Sequence, residues 1–197
     1  MNPQATADSP DPDAVDMGRL AAGDDSALDD LMDRHATRVF HFLFRMLGDE
    51  DDARDLAQET FVRVYKNRQS FHGGERFTNW LYTIAGNLGR NQLRWRSRHP
   101  NTSLDAENPQ TGSTLGEVLP SRAASPGEAL VEQERRREVR RAIVELPEGL
   151  REPLVLCEFE DRSVAEAASI LEMSPKAVEA RLYRARQALR ARLRRWL

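Results

Sequence analysis

Basic side chains are concentrated in two stretches of this chain, and the chemistry they favour is the binding of a polyanion. Residues 61–100 contain eight basic residues and one acidic residue, whereas residues 1–60 contain five basic and fifteen acidic residues. Residues 135–197 hold fifteen basic against ten acidic residues, after an acidic stretch at 101–134. Two basic surfaces separated by acidic segments favour a nucleic-acid partner, because cations without acidic neighbours can pair with phosphates. Ordinary mixing of surface ion pairs is the alternative, and the near absence of acids in residues 61–100 argues against it.

Catalytic and cofactor chemistry has no matching pattern in the sequence. It contains no Gly-rich phosphate-binding loop, no metal-binding cluster and no nucleophile–base pair. The four histidines form no Glu-x-x-His pair with the acidic residues. The single cysteine, Cys157, excludes a disulfide framework and a cysteine-rich zinc site. We therefore predict that the protein is not an enzyme, with no catalytic residue, no cofactor and no metal.

A short helix, a tight joint and a long basic helix near the C-terminus form the pattern of a helix-turn-helix. Ser163 and Glu166 have the spacing of a capping box that opens the short helix. Ser174 and Pro175 suit the cap and first turn of the long helix. Its predicted inward face is Val178, Leu182, Ala185, Leu189 and Leu193. The opposite, basic face can enter a DNA major groove, although a helical hairpin with a solvated basic face would show the same pattern.

The elements that position these residues are all predicted to be helices. Residues 1–24 are polar and rich in Asp, Pro and Ala, so we predict that they are disordered. Three amphipathic helices, starting near Ser26, Asp49 and Phe77, predict one bundle over residues 25–99. Residues 100–124 lack periodicity and predict a flexible linker. The expected fold class is all-α, with two small helical bundles joined by that linker, the second (125–197) containing the helix-turn-helix.

Two further expectations concern a proline and the location of the protein. A helix over about Leu150–Phe159 would tolerate Pro153 only in its first turn, because proline lacks a backbone N–H. The acidic N-terminus is no signal peptide, and no apolar run approaches the ~20 residues that span a bilayer. We therefore expect a cytoplasmic protein without a membrane span.

Two parts of the sequence resemble a known family. DARDLAQETFVRVYKN (52–67), followed by FTNWLYTIAGNLGRNQLR (77–94), resembles the most conserved region of bacterial extracytoplasmic-function (ECF) sigma factors. LPEGLREPLVLCEFEDRSVAEAASILEMSPKAVEARLYRARQAL (146–189) resembles the promoter-binding C-terminal domain of the same family. The two matching segments follow each other along the chain in the same order as in the family. The resemblance implies a dissociable subunit of bacterial RNA polymerase that directs transcription initiation.

The resemblance implies that the first helix of this match docks on the clamp helices of the largest polymerase subunit. The residues it assigns to that contact are Asp52, Asp55, Gln58 and Glu59. Their carboxylates share one helix face, and an acidic strip of this kind would set orientation and on-rate against a basic partner. A solvated helix face, or acids serving the helix dipole, are the alternatives. The family further implies contact with the polymerase flap, with promoter DNA and with an anti-sigma factor.

The resemblance assigns residues 87–98 to reading and opening the −10 promoter element. The predicted contacts are Asn87, Arg90, Asn91, Arg94, Trp95, Arg96 and Arg98. The arginines would follow phosphates, the amides would bond base edges, and Trp95 would stack on an unpaired base, unless it closes the end of the bundle instead. Stacking is worth about 1–3 kcal/mol per base, comparable to the cost of flipping a base out. Melting of the promoter duplex would then need no added energy source.

The helix-turn-helix would read the −35 element. The predicted contacts are Ser174, Lys176, Glu179, Arg181, Tyr183 and Arg184. The sequence departs from the family at Gly86, where many members carry Arg, at Asn91, where many carry an acid, and at Glu172, where Gly is usual in the joint. If the joint needs a positive φ, Glu172 costs on the order of 1 kcal/mol. The main rival is a free-standing helix-turn-helix regulator that never joins polymerase.

Overall fold

A computed structural model describes residues 11–72, 74–99 and 126–196, and within them the chain is helical without a strand. The helices are α1 (Pro12–Ala21), α2 (Ser26–Leu47), α3 (Glu50–Lys66), α4 (Phe77–Arg98), α5 (Pro126–Val144), α6 (Glu148–Glu158), α7 (Val164–Ile170) and α8 (Pro175–Arg192). Short 3-10 turns lie at Arg68–Ser70 and Arg194–Trp196. The all-α fold class with two helical domains is confirmed. The predicted linker at 100–124 lies outside the described residues.

The first bundle, which we call the N-module, packs α3 and α4 against α2. Gly48 ends α2 in the left-handed region, at φ 72°, which glycine adopts without steric cost. The side chain of Asp49 caps α3 by accepting a 2.9 Å hydrogen bond from the backbone N–H of Asp52. The core between the three helices includes the fully buried Phe42, Leu43, Met46, Phe77 and Leu81.

Helix α1 corrects the prediction of disorder for residues 12–21, whereas residues 1–10 of that predicted segment lie outside the described residues. Met17 and Leu20 are buried in the core. Arg34 of α2 reaches Asp13 at 2.9 Å and Asp16 at 2.6 Å, so both acidic residues are held against the N-module. The pairing partners lie eighteen or more positions away along the chain. Composition alone therefore shows an acidic segment and not the ion pairs that order it.

The second bundle, the C-module, contains α5 to α8. The capping box at α7 is present, because Ser163 accepts from the backbone N–H of Glu166 while the Glu166 carboxylate accepts from that of Ser163. Pro153 is the sixth residue of α6, so its predicted place in the first turn is wrong. The helix begins at Glu148, earlier than expected, and the Pro153 ring is buried in the interior. The two modules contact each other, α6 against α2 and α7 against α4.

Candidate nucleic-acid interface

The acidic face of α3 divides into exposed residues and one that is engaged inside the N-module. Asp55 and Gln58 are exposed, while Glu59 is partly exposed and pairs with Arg63 at 2.9 Å, one turn along. These residues remain available to a partner. Asp52 instead faces α4, so the four predicted polymerase contacts are not equivalent.

Asp52 and Arg96 come from different predicted surfaces, and the structure pairs them with each other at 2.6 Å. Asp52 also accepts a 2.5 Å hydrogen bond from Gln92. Arg96 reaches Asp49 at 3.2 Å and donates to the backbone carbonyl of Leu47. Arg96 therefore joins α2, α3 and α4, which leaves it poorly placed to follow phosphates.

An apolar groove lies between α2 and α3, beside the exposed acidic residues. Its volume is 350 Å³. Its lining includes the apolar residues Met32, Ala36, Phe40, Ala57 and Phe61. Gln58 and Glu50 stand at the same groove. The groove forms only where α2 packs against α3, so the sequence does not reveal it, although Met32, Ala36 and Phe40 follow one another at four-residue spacing.

The outer half of α4 presents most of the predicted −10 residues to one open groove against α3. Residues that line this groove, of 740 Å³, include Leu88, Asn91, Arg94, Trp95 and Arg98. The Trp95 side chain is 43% exposed, so it does not close the bundle. One ring face stacks on His99, with centroids 4.9 Å apart. A flat aromatic ring beside amides and guanidiniums can take an unpaired base and its phosphates together.

Arg90 lies on the same helix but turns toward the C-module. Its guanidinium pairs with Glu152 of α6 and donates a 2.6 Å hydrogen bond to the side-chain oxygen of Asn87. Asn87 itself remains exposed. Burial raises the pKa of Glu152, against the pull of the Arg90 charge. Neither the pairing nor its partner was visible in the sequence, because the two residues are 62 positions apart.

The long helix α8 separates an inward face from an exposed one, as predicted. Val178, Leu182 and Ala185 are buried, whereas Leu189 and Leu193 of the predicted inward face are only partly buried. The exposed side chains from the predicted −35 set are Ser174, Lys176, Glu179, Tyr183 and Arg184. Ser174 is the N-cap and accepts a 3.2 Å hydrogen bond from the backbone N–H of Ala177. Arg181 is only partly exposed and lies over α6 at Gly149, so its guanidinium stands at the edge of the exposed face.

The joint of the helix-turn-helix has a positive φ, the conformation that strains a residue other than glycine. Glu172 has φ 53°, in the left-handed region, and is exposed. Met173 donates from its backbone N–H to the carbonyl of Ala168 at 3.0 Å, which closes the turn. The strain expected at Glu172 is therefore present, on the order of 1 kcal/mol.

The part of the chain that the structure describes contains neither a metal-binding cluster nor a membrane-spanning helix. Within residues 11–72, 74–99 and 126–196, no three His, Cys, Asp or Glu side chains converge in a way that could hold a metal ion. Among the same residues, no helix combines the length and apolarity needed to cross a bilayer. Burial raises the pKa of the Cys157 thiol, which disfavours the reactive thiolate.

Comparisons with known proteins match both modules. Residues 31–99 match the family model of sigma-70 region 2, and residues 136–189 match that of sigma-70 region 4. The chain is 35% identical over 177 residues to the ECF RNA polymerase sigma factor SigW of Bacillus subtilis, covering 89% of this chain and 94% of SigW. A solved complex of CnrH with the cytosolic domain of CnrY aligns at a TM-score of 0.68 and 28% identity, over 93% of this chain and 97% of that one. The sigma factor RpoE of Bartonella quintana, solved with the anti-sigma factor NepR, aligns at a TM-score of 0.63 and 22% identity, over 84% and 96% of the two chains.

Proposed function

The chain belongs to the ECF RNA polymerase sigma factors, and from that membership we propose how its surfaces divide the work of promoter recognition. It is a polymerase-associated transcription initiation factor. The N-module (residues 25–99) binds core polymerase and the −10 element, and the C-module (125–197) binds the −35 element. Residues 100–124 connect the two.

The observation that carries this proposal is the groove on α4, where Trp95 is exposed beside Asn91 and two arginines. Guanidiniums alone would serve duplex phosphates, whereas an exposed ring that can stack serves an unpaired base. A free-standing helix-turn-helix regulator binds closed duplex and has no use for such a groove. Opening the promoter is a task of the polymerase holoenzyme, so the groove favours the sigma factor over the regulator.

Polymerase docking is proposed for Asp55, Gln58 and Glu59, together with the apolar groove between α2 and α3. The exposed carboxylates would orient the basic clamp helices of the largest subunit, and the groove would accept apolar side chains of the same partner. Asp52 contributes indirectly, because it holds the N-terminal turn of α3 against α4. The C-module would in addition contact the polymerase flap.

Chemistry is left to the polymerase in this proposal. The protein is not an enzyme and needs no cofactor. Promoter opening needs no added energy source, since stacking of about 1–3 kcal/mol per base offsets the cost of unstacking. It acts in the cytoplasm. An anti-sigma factor is a proposed partner, supported by the likeness in fold to a sigma factor solved with such an inhibitor.

Co-elution with purified core polymerase, followed by binding of a labelled promoter fragment, tests the proposal. We expect the chain to co-elute with core and to bind promoter DNA much more tightly in that complex than alone. Tight promoter binding by the free chain, with no co-elution, would instead favour the free-standing regulator.

A further inference from the structure

Helix α8 carries one acidic residue, Glu179, against six basic ones. Glu179 is the fifth residue of the helix, so it lies in the second turn, and its side chain is exposed. Lys176 and Arg184, before and after it along the helix, are exposed as well. DNA phosphates attract the two cations and repel the carboxylate. A carboxylate at this position therefore lowers the general affinity of α8 for DNA unless it meets a hydrogen-bond donor.

The carboxylate of Glu179 takes no part in the ion pairs that hold the C-module together. Glu158 of α6 pairs with Arg186 of α8 at 2.5 Å, and Glu145 pairs with Arg192. Among the residues that the structure describes, the Glu179 carboxylate has neither a salt bridge nor a hydrogen bond, although Lys176 lies only three positions before it. Both oxygens of Glu179 are therefore available to an outside partner.

Packing of α8 fixes the side to which Glu179 points. Val178 and Leu182 are buried where α8 packs against α6 and α7, so the helix cannot turn about its axis. Ser174 caps its first turn. Ala180, next to Glu179, is exposed and adds only a methyl group, which lets the helix backbone approach the floor of a groove. The first turns of a recognition helix are the part that contacts base edges in the major groove.

The chemistry of the major groove leaves few partners for a carboxylate. An ionised carboxylate only accepts hydrogen bonds, and the base edges offer donors at the N4 amino group of cytosine and the N6 amino group of adenine. Adenine places its N7 acceptor beside the N6 amino group, so a carboxylate that approaches adenine sets one oxygen against N7. Guanine and thymine present acceptors. Cytosine is therefore the base that suits Glu179.

We propose that Glu179 is a specificity-determining residue, which selects a cytosine in the −35 element by accepting a hydrogen bond from its N4 amino group. The inference rests on the proposed function, because it requires α8 to enter the major groove of that element. Lys176 and Arg184 supply the general attraction to DNA. Glu179 reduces binding to sequences that leave its charge without a donor, and a penalty on the wrong sequences is one of the two ways to gain specificity.

The variant Glu179→Gln tests the proposal in the full-length chain, because it keeps the size of the side chain and replaces one acceptor with a donor. The probe is a pool of DNA duplexes with a randomised central segment, selected by the chain alone at low salt and, in parallel, by its complex with core polymerase. For wild type we expect one base pair at which cytosine is preferred by about fivefold to a hundredfold. With Glu179→Gln the preference at that pair should change to adenine, whose N6 and N7 atoms pair with a glutamine amide.

Two matched variants separate base reading from charge. Glu179→Ala removes the acceptor without adding a donor, so it should abolish the preference at that base pair and create no other. Glu172→Gln removes the same charge from the exposed joint of the helix-turn-helix and should leave the selected sequences unchanged. The slope of affinity against salt concentration should stay at the wild-type value in all three variants, because none of these residues contacts a phosphate.

The outcomes separate this proposal from the proposed function. Uniformly tighter binding by Glu179→Gln, with the same preference at every base pair, would overturn the proposal, because Glu179 would then only repel phosphates. A wild-type selection without a cytosine preference, or an equal shift with Glu172→Gln, would overturn it as well. Failure of the chain to co-elute with core polymerase would overturn the proposed function, while selection by the free chain would still show whether Glu179 reads cytosine.

Discussion

Asp52 and Arg96 form an ion pair at 2.6 Å that joins the first turn of α3 to the last turns of α4. The family resemblance assigns these residues to two outside partners, polymerase and DNA, whereas the structure pairs them inside the N-module. The side chains are 28% and 34% exposed, so the pair is only partly screened by water. Charge at position 52 should therefore affect stability, and charge at the exposed positions of α3 should affect docking.

Charge reversal on α3 separates these two roles. We expect Asp55→Lys with Glu59→Lys to weaken binding to core polymerase at moderate salt while leaving the urea midpoint near the wild-type value. Asp52→Lys should lower the free energy of unfolding by about 1–3 kcal/mol, because it opposes Arg96 and removes the acceptor for Gln92. Asp51→Lys, on the exposed side of the same turn, is the control for both measurements. Unchanged core affinity in the double variant would show that Asp55 and Glu59 belong to an ordinary solvated helix face and not to a docking site.

Relief of backbone strain should stabilise the C-module. Glu172 adopts φ 53°, so Glu172→Gly should raise the free energy of unfolding by about 0.5–1 kcal/mol. Glu172→Ala removes the same charge and keeps the strain, so it should give no comparable gain. Urea unfolding followed by circular dichroism measures both. An equal gain in the alanine variant would attribute the effect to charge and not to φ.

Local signals in the sequence predict much of this fold, and contacts between distant residues account for what it misses. Gly48 and the capping box at Ser163 mark helix ends, because their effect depends on neighbours within four positions. Helix α1 depends on Arg34 meeting Asp13 from 21 positions away. The role of Arg90 depends on Glu152, which belongs to the other module. A basic residue can be recognised in a sequence, whereas the acid that holds it is seen only in the fold.

The acid sensitivity of α7 follows from its capping box. The Ser163 hydroxyl lowers the pKa of Glu166 to about 2, with Arg76 and Arg162 also facing the carboxylate. A carboxylate whose pKa is lowered by folding contributes stability that is fully present above its unfolded pKa of 4.5 and is lost as pH falls toward 2. We expect Glu166→Gln to destabilise the chain at pH 7 and to converge with wild type near pH 2, in urea unfolding across this range. Parallel pH profiles for the two proteins would contradict the assignment.

The two DNA surfaces should fail at different steps. Arg184→Ala should weaken binding to duplex −35 DNA, by about 1–3 kcal/mol if the guanidinium reads a base. Trp95→Ala should spare initial binding and slow strand opening, because a stacking platform matters only once a base is unpaired. Permanganate footprinting of the holoenzyme on linear and pre-melted templates separates these steps.

Rescue on the pre-melted template is the decisive comparison for these two variants. Pre-melting the −10 region should restore open complexes with Trp95→Ala and should leave Arg184→Ala impaired. If the pre-melted template rescues Arg184→Ala alone, the two surfaces have been assigned in reverse.

Transcription reconstituted from purified core polymerase, this protein and a library of promoter fragments decides whether the chain works as a sigma factor. We expect core alone to give no specific transcripts, and the protein to switch on a restricted set of promoters that share −10 and −35 elements. If core gains no promoter-specific transcription from the protein while the protein alone binds promoter duplex tightly, the chain is a free-standing regulator and not a sigma factor.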